Sequence, residues 1–174
     1  MAKTRSQMMQ AVHSKDTKPE LIVRRGLFHQ GFRYRLHRRD LPGTPDLFIL
    51  RYGVVIFING CFWHQHGCKF TSRPKSNSDF WKEKFSNNIV RDIKTSWQLS
   101  LEGYRVATVW ECSLMGDNLE RTIERLESFI KSDEETIDIL SPNSHLFAFF
   151  PKKTTTITPI NTHSPSKQSS FFYI

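Results

Sequence analysis

Read along the chain, the apolar positions fall into a few repeating patterns, and each predicts an element. After a polar, basic and aperiodic stretch over residues 1–16, Thr17-Lys18-Pro19-Glu20 has the spacing of a capping box with proline in the first turn. LIVRRGLFHQ follows and Gly31 stops it, which predicts a helix over residues 17–30. Residues 32–36 alternate with period two and read as a strand; the turn LPGTP leads into a second strand over residues 46–50, and a third follows over residues 54–58. The short connection makes the last two an antiparallel hairpin. From Ser78 to Leu101, the residues Trp81, Phe85, Ile89, Ile93, Trp97 and Leu101 recur every four positions and predict a long amphipathic helix ended by Gly103. Residues 104–110 read as a fourth strand, and Asp117 caps a last helix to about residue 131. Helix, three strands, helix, strand, helix is the order of a mixed sheet flanked by helices, an α/β domain.

The patterning fails in two places. Residues 60–77 have no period and carry most of the unusual side chains. Beyond Ser132 the character changes: in residues 141–170, 15 of 30 are Ser, Thr or Pro, interrupted by FAFF and followed by SFFYI. The expectation is one folded domain over residues 1–133 and an appended Ser/Thr/Pro-rich tail over residues 134–174.

At 174 residues there is room for one domain and little else. An apolar fraction of 38% that includes 14 Phe and 4 Trp is enough for a packed core, which excludes wholesale disorder. No run approaches the ~18 apolar residues of a membrane span, and the N-terminus lacks a signal peptide's apolar stretch, so a soluble, cytoplasmic protein without a membrane partner is expected. The net charge of +8 is uneven: residues 1–51 hold 11 Lys+Arg against 4 Asp+Glu, and the rest of the chain is close to balanced. Arg24-Arg25 and the cluster Arg33, Arg35, His37, Arg38, Arg39 would repel one another unless solvent or a polyanion neutralised them. A solubilising face and a phosphate-contacting surface both fit.

Cys61, His64, His66 and Cys68 fall within eight residues, and Cys112 follows the fourth predicted strand. If the third and fourth strands are neighbours, Cys61 and Cys112 leave the same sheet edge, and a closed Cys3His zinc site is geometrically natural. Free or buried thiols are the alternative, and spacing does not choose between His64 and His66. Asp46 opens a strand directly after Pro45, where metal-dependent nucleases commonly place a carboxylate for Mg2+. The next strand holds neither the acid nor the lysine that such sites usually add, so Asp46 also fits as a simple turn residue.

Taken together, RSQMMQAV, KDTKPE, LPGTPDLF, VIFINGCFWHQHGC, FWKEKFSNNIVRD and GYRVATVWEC resemble the very-short-patch-repair (Vsr) DNA mismatch endonuclease family, in order through residues 5–116. The resemblance implies a restriction-endonuclease-like fold with a structural Zn2+. It also implies an activity: nicking one strand 5′ of the thymine in T·G mismatches that arise from 5-methylcytosine deamination. The partners implied are double-stranded DNA carrying that mismatch and, functionally, a cytosine-5 DNA methyltransferase, with the enzyme acting as a bacterial, nucleoid-associated monomer. Carried across residue by residue, the zinc ligands are Cys61, His66, Cys68 and Cys112, which frees His64 for catalysis. Asp46 and the main-chain carbonyl of Ile58 would hold Mg2+, His64 would act as general base in place of the missing lysine, and Asp92 would orient the site. Glu20 would stand near the metal's waters and also fits as the helix cap. Phe62 and Trp63 resemble an aromatic wedge that enters the base stack beside the mismatch, with Met9 opposite and Lys84 on the DNA; core packing is the rival use of the two aromatics. Asn59 stands where some members carry histidine, and Ile58 where some carry threonine. Two other functions stay open: a zinc-stabilised restriction-type endonuclease indifferent to mismatches, and a zinc-dependent DNA-binding module without catalysis.

Overall fold

The structure, a computed structural model, describes residues 15–142 and residue 144. Met9 and most of the predicted tail lie outside the described residues. Helix α1 (Lys18–His29) starts where the capping box places it: the Thr17 side chain accepts from the Glu20 amide, and Glu20 reaches back to the Thr17 amide. Strand β1 (Arg35–Leu36) is two residues long, shorter than its alternation suggests. The alternation describes burial only at Phe32, which is buried, and Tyr34, which is half-buried; Leu36 is exposed, and His37 at φ 46° ends the strand.

Strands β2 (Leu47–Ile49) and β3 (Val54–Asn59) form the expected antiparallel hairpin around a turn of 3-10 helix. A short helix α2 (Cys61–His64) follows β3, and the long helix α3 (Ser78–Leu101) carries the chain back to β4 (Arg105–Trp110), which lies parallel to β3. Helix α4 (Asn118–Lys131) then leads to β5 (Thr136–Ile139), parallel to β4. The sheet order is β1-β2-β3-β4-β5. Asp117 precedes α4 in helical conformation and its side chain makes no capping bond, contrary to its predicted role.

Alternation along the strands assigns the core to both sheet faces. Val54, Ile56, Ala107, Val109 and Ile139 meet Val23 and Leu27 of α1 and Leu126, Phe129 and Ile130 of α4, while Phe48, Val55 and Val106 meet Leu99 of α3 on the other face. Fully burying one such aliphatic side chain stabilises by about 1.5–3 kcal/mol, so these two layers hold the fold together.

Two elements differ from expectation for physical reasons. An apolar repeat of four advances 40° further per step than a helix turn of 3.6 residues allows. The stripe on α3 therefore spirals from the core at Phe85 to solvent at Trp97 and Leu101, which are 53% and 68% exposed. The buried face is finished instead by Ser96 and Leu99. Strand β5 lies inside the predicted tail. Its four residues give no local signal, because it is held only by parallel pairing with a distant strand and by Ile139 entering the core. Among the described residues, no helix is long and apolar enough to cross a membrane.

Candidate active site and metal centre

Parallel pairing of β3 and β4 fixes where the chemistry collects. Asn59 stands opposite Trp110 in the register, so both strands release the chain at one edge, where open α/β sheets form their crevices. A cavity of about 860 Å³ opens there between the sheet, the start of α1, the loop before β2, and α3. Gly43 makes that loop possible: it sits at φ +72°, and a Cβ there would meet Thr95 of α3 at 2.3 Å.

Asp46 enters the cavity at the head of β2, and its Oδ2 accepts a hydrogen bond from the Ile58 amide at 2.8 Å. Burial pushes its carboxyl up to about 6; the Ile58 amide opposes this, the Glu20 charge adds to it, and Arg24 and His64 oppose it. His64 lines the same cavity, and its Nδ1 is hydrogen-bonded to Asp92 Oδ2 of α3. A carboxylate on Nδ1 sets the tautomer with its proton there and leaves Nε2 as the basic nitrogen. Glu20 is buried and fully engaged. Its Oε1 accepts from the Thr17 hydroxyl at 2.8 Å, and its Oε2 accepts from the Asp16 amide at 3.0 Å and from Arg24 at 2.7 Å. The helix-cap use and a place in the cavity wall thus coexist.

Beyond this edge lies a buried corner made by Cys61, His66, Cys68 and Cys112, whose ligand atoms all lie within 4.8 Å of one another. Cys61 and Cys112 each follow the register pair Asn59–Trp110 by two residues, so the parallel pairing brings them together. His66 Nε2 lies 3.2 Å from Cys61 Sγ and 3.6 Å from Cys112 Sγ, while its ring packs 4.1 Å from that of Trp110. The three thiols are buried and form no disulfide. The Cys61 thiol, and after it His66, lower the Cys112 thiol well below the ordinary range against the opposing effect of burial, and Cys61 is pushed up in return. Sulfurs converging with one imidazole nitrogen in a closed, buried shell fit a four-coordinate structural metal. His64 is left outside this set.

Phe62 and Trp63 on α2 are half-buried, between full core burial and the exposure that a free wedge implies. Phe62 packs edge-on against Trp81 and Phe85, and Trp63 lies 6.2 Å from Trp81. Asn88 donates to the Trp63 carbonyl at 2.9 Å, and Lys84 Nζ sits 5.6 Å over the Trp63 ring and 5.8 Å over exposed Phe80. Aromatic rings and a cation therefore share one rim of the cavity.

Two cavity residues, Asp138 and His37, and Arg24 beside His37 escape sequence reasoning. Asp138 arrives on β5 and accepts from Trp110 Nε1 at 3.3 Å, and no local pattern announces that strand. Arg24 lies one helical turn after Glu20, a spacing that does signal an ion pair. His37 was legible only as part of a charge cluster.

The DNA mismatch endonuclease Vsr family profile matches residues 1–70. Among individual proteins, the DNA mismatch endonuclease Vsr of Escherichia coli is 38% identical over 148 residues, covering 83% of this chain and 95% of that protein. A type II nicking enzyme of Neisseria meningitidis is 44% identical over 133 residues, 76% of this chain and 94% of its own. Another from Xanthomonas oryzae is 49% identical over 110 residues, 63% and 81% respectively.

Proposed function

Since the chain belongs to the Vsr family of DNA mismatch endonucleases, we propose that it nicks one strand of duplex DNA 5′ of the thymine in a T·G mismatch, the product of 5-methylcytosine deamination. The observation that carries this reading is that Asp46 and the hydrogen-bonded His64–Asp92 pair line one cavity together with Trp63 and Lys84. Asp46 and the Ile58 main chain would hold Mg2+, which supplies charge to polarise the scissile phosphate. The Ile58 amide orients the Asp46 carboxylate for that task. His64 accepts the proton of the attacking water at Nε2, and Asp92 holds the ring and stabilises the imidazolium that forms.

Zinc in the Cys61–His66–Cys68–Cys112 corner would pin α2, so that Phe62, Trp63 and His64 keep fixed positions relative to β3. Phe62 and Trp63, with Met9 from the other groove, test the base pair by intercalation, since a mismatched step unstacks at a lower cost. Lys84 and the basic first third of the chain grip phosphates. Acting as a cytoplasmic, nucleoid-associated monomer, the enzyme would follow a cytosine-5 DNA methyltransferase and start very short patch repair.

The test is strand-resolved nicking of end-labelled duplexes that carry one T·G within differing flanks. The expected product is a single nick 5′ of the mismatched thymine and none in homoduplex. Equal cutting of homoduplex would replace this reading with a restriction-type nuclease, and binding without a nick in Mg2+ would replace it with a DNA-binding module.

A further inference from the structure

The cavity wall that carries Glu20 is built around a side chain that the chemistry above does not use. Arg24 is 7% exposed, and its guanidinium is the meeting point of three groups: it pairs with Asp16, donates to Glu20 at 2.7 Å, and lies 3.0 Å from His37 Nε2. A guanidinium only donates, so His37 Nε2 is the accepting atom of this contact. The imidazole is itself aimed deliberately. His37 adopts the left-handed conformation at φ 46°, disfavoured for a residue with a Cβ, and its amide donates to the Asp46 carbonyl at 3.3 Å. The Tyr34 hydroxyl donates to the Arg24 carbonyl at 3.0 Å and fixes the helix turn from which the guanidinium extends.

Apart from the arginine, Asp16, Glu20 and His37 offer one ligand atom each within 4.8 Å of one another. Two carboxylates and an imidazole at that spacing are a donor set for a divalent ion. The Arg24 guanidinium already engages all three, while its own buried Nε has no partner among the described residues. A buried cation is tolerated when such pairing compensates its lost hydration.

We propose that Arg24 is a positioning residue that serves as the built-in cation of this wall: it fixes the Glu20 carboxylate beside Asp46 and excludes a divalent ion from the Asp16–Glu20–His37 set. The positioning half rests on the function proposed above; the exclusion half does not. Removing the fork frees Glu20 to rotate and opens the ligand set, whereas lysine keeps the charge without the planar, multidentate geometry.

The experiment uses the full-length, zinc-loaded protein. Mn2+ binding is counted by calorimetry and electron paramagnetic resonance without DNA. Single-turnover nicking and duplex affinity are measured alongside. Arg24→Gln is expected to bind one more Mn2+ than wild type and to lose that ion again when combined with His37→Ala. Its nicking rate falls about a hundredfold, as for a displaced catalytic group, with affinity for the T·G duplex unchanged. Glu20→Gln with Arg24→Gln is no slower than Glu20→Gln alone. Arg24→Lys keeps the wild-type metal count but loses rate, which preserves the test if Arg24→Gln does not fold.

An unchanged metal count in folded Arg24→Gln overturns the exclusion. Additive losses in the double variant overturn the positioning role. Weakened duplex binding with a shallower salt dependence does so as well, since it would make Arg24 a phosphate contact. If wild type cuts homoduplex and mismatch alike, the T·G reading falls while the metal count still decides the matter of Arg24.

Discussion

Two corners of the molecule grow from the same short segment after β3, and they are stabilised in opposite ways. In the cysteine corner, three sulfurs and one imidazole converge, with the Phe70 amide on Cys68 Sγ and the Ser144 hydroxyl beside Cys112 Sγ, and His66 Nδ1 is buried without a partner among the described residues. In the cavity, Asp46, Glu20, His64 and Asp92 each have a fixed protein partner: a backbone amide, an arginine, or one another. The first arrangement could hold a metal ion and is buried on all four ligands. The second is held rigid by the chain itself and presents a basic nitrogen and a carboxylate to a space that a phosphodiester can enter. The proposed structural and catalytic roles thus fall to groups that are satisfied in different ways, although Cys61 and His64 lie within one helical turn.

Opening the cysteine corner is expected to have the largest effect. Cys112→Ser is expected to remove a structural metal worth several kcal/mol and to lower the unfolding midpoint by about 10 °C or more, read by thermal denaturation with and without a chelator. An unchanged midpoint in both would mean that the corner holds no ion. Opening the cavity instead should spare the fold. His64→Ala is expected to slow single-turnover nicking about a thousandfold with an unaltered midpoint, and Asp92→Asn to slow it less, since it disturbs only the orientation of the imidazole.

The half-buried carboxylate sharpens the comparison through pH. Burial holds Asp46 at about 6 in the metal-free protein, above the 3.8 of a free aspartate, so the folded state binds this proton more tightly than the unfolded chain. That contribution is fully present below 3.8 and is lost as pH rises through about 6. Asp46→Asn, which carries no charge, should therefore be more stable than wild type at pH 7.5 by up to about 3 kcal/mol, with the gap closing toward pH 4 in metal-free denaturant titrations. A gap independent of pH would remove the burial argument. The smallest effect is expected at the loop: Gly43→Ala combines a left-handed backbone with a collision against Thr95 and should cost about 2 kcal/mol in the same titrations.

Much of this was legible in the sequence. The capping box, the hairpin and the long helix follow from local chemistry, and the structure reproduces each because the relevant partners are close along the chain. Cysteine spacing pointed to the metal corner once β3 and β4 were assumed to be neighbours. What could not be read depends on distance. β5 and its Asp138 exist only through pairing with β4, and α3 turns its apolar repeat away from the core because the geometry of a helix, not the spacing of residues, decides which side is buried. Arg24 looked like one of many surface charges. Only the fold shows it enclosed by Asp16, Glu20 and His37.

In the proposed function the cavity performs the cut and the cysteine corner only holds it in place. Single-turnover nicking of a T·G duplex by zinc-loaded Asp46→Ala, beside wild type in Mg2+, tests this most directly. The prediction is a loss of about a thousandfold or more in rate, with duplex affinity preserved in a protein that remains folded. Nicking by Asp46→Ala at the wild-type rate would contradict the account and move the chemistry elsewhere.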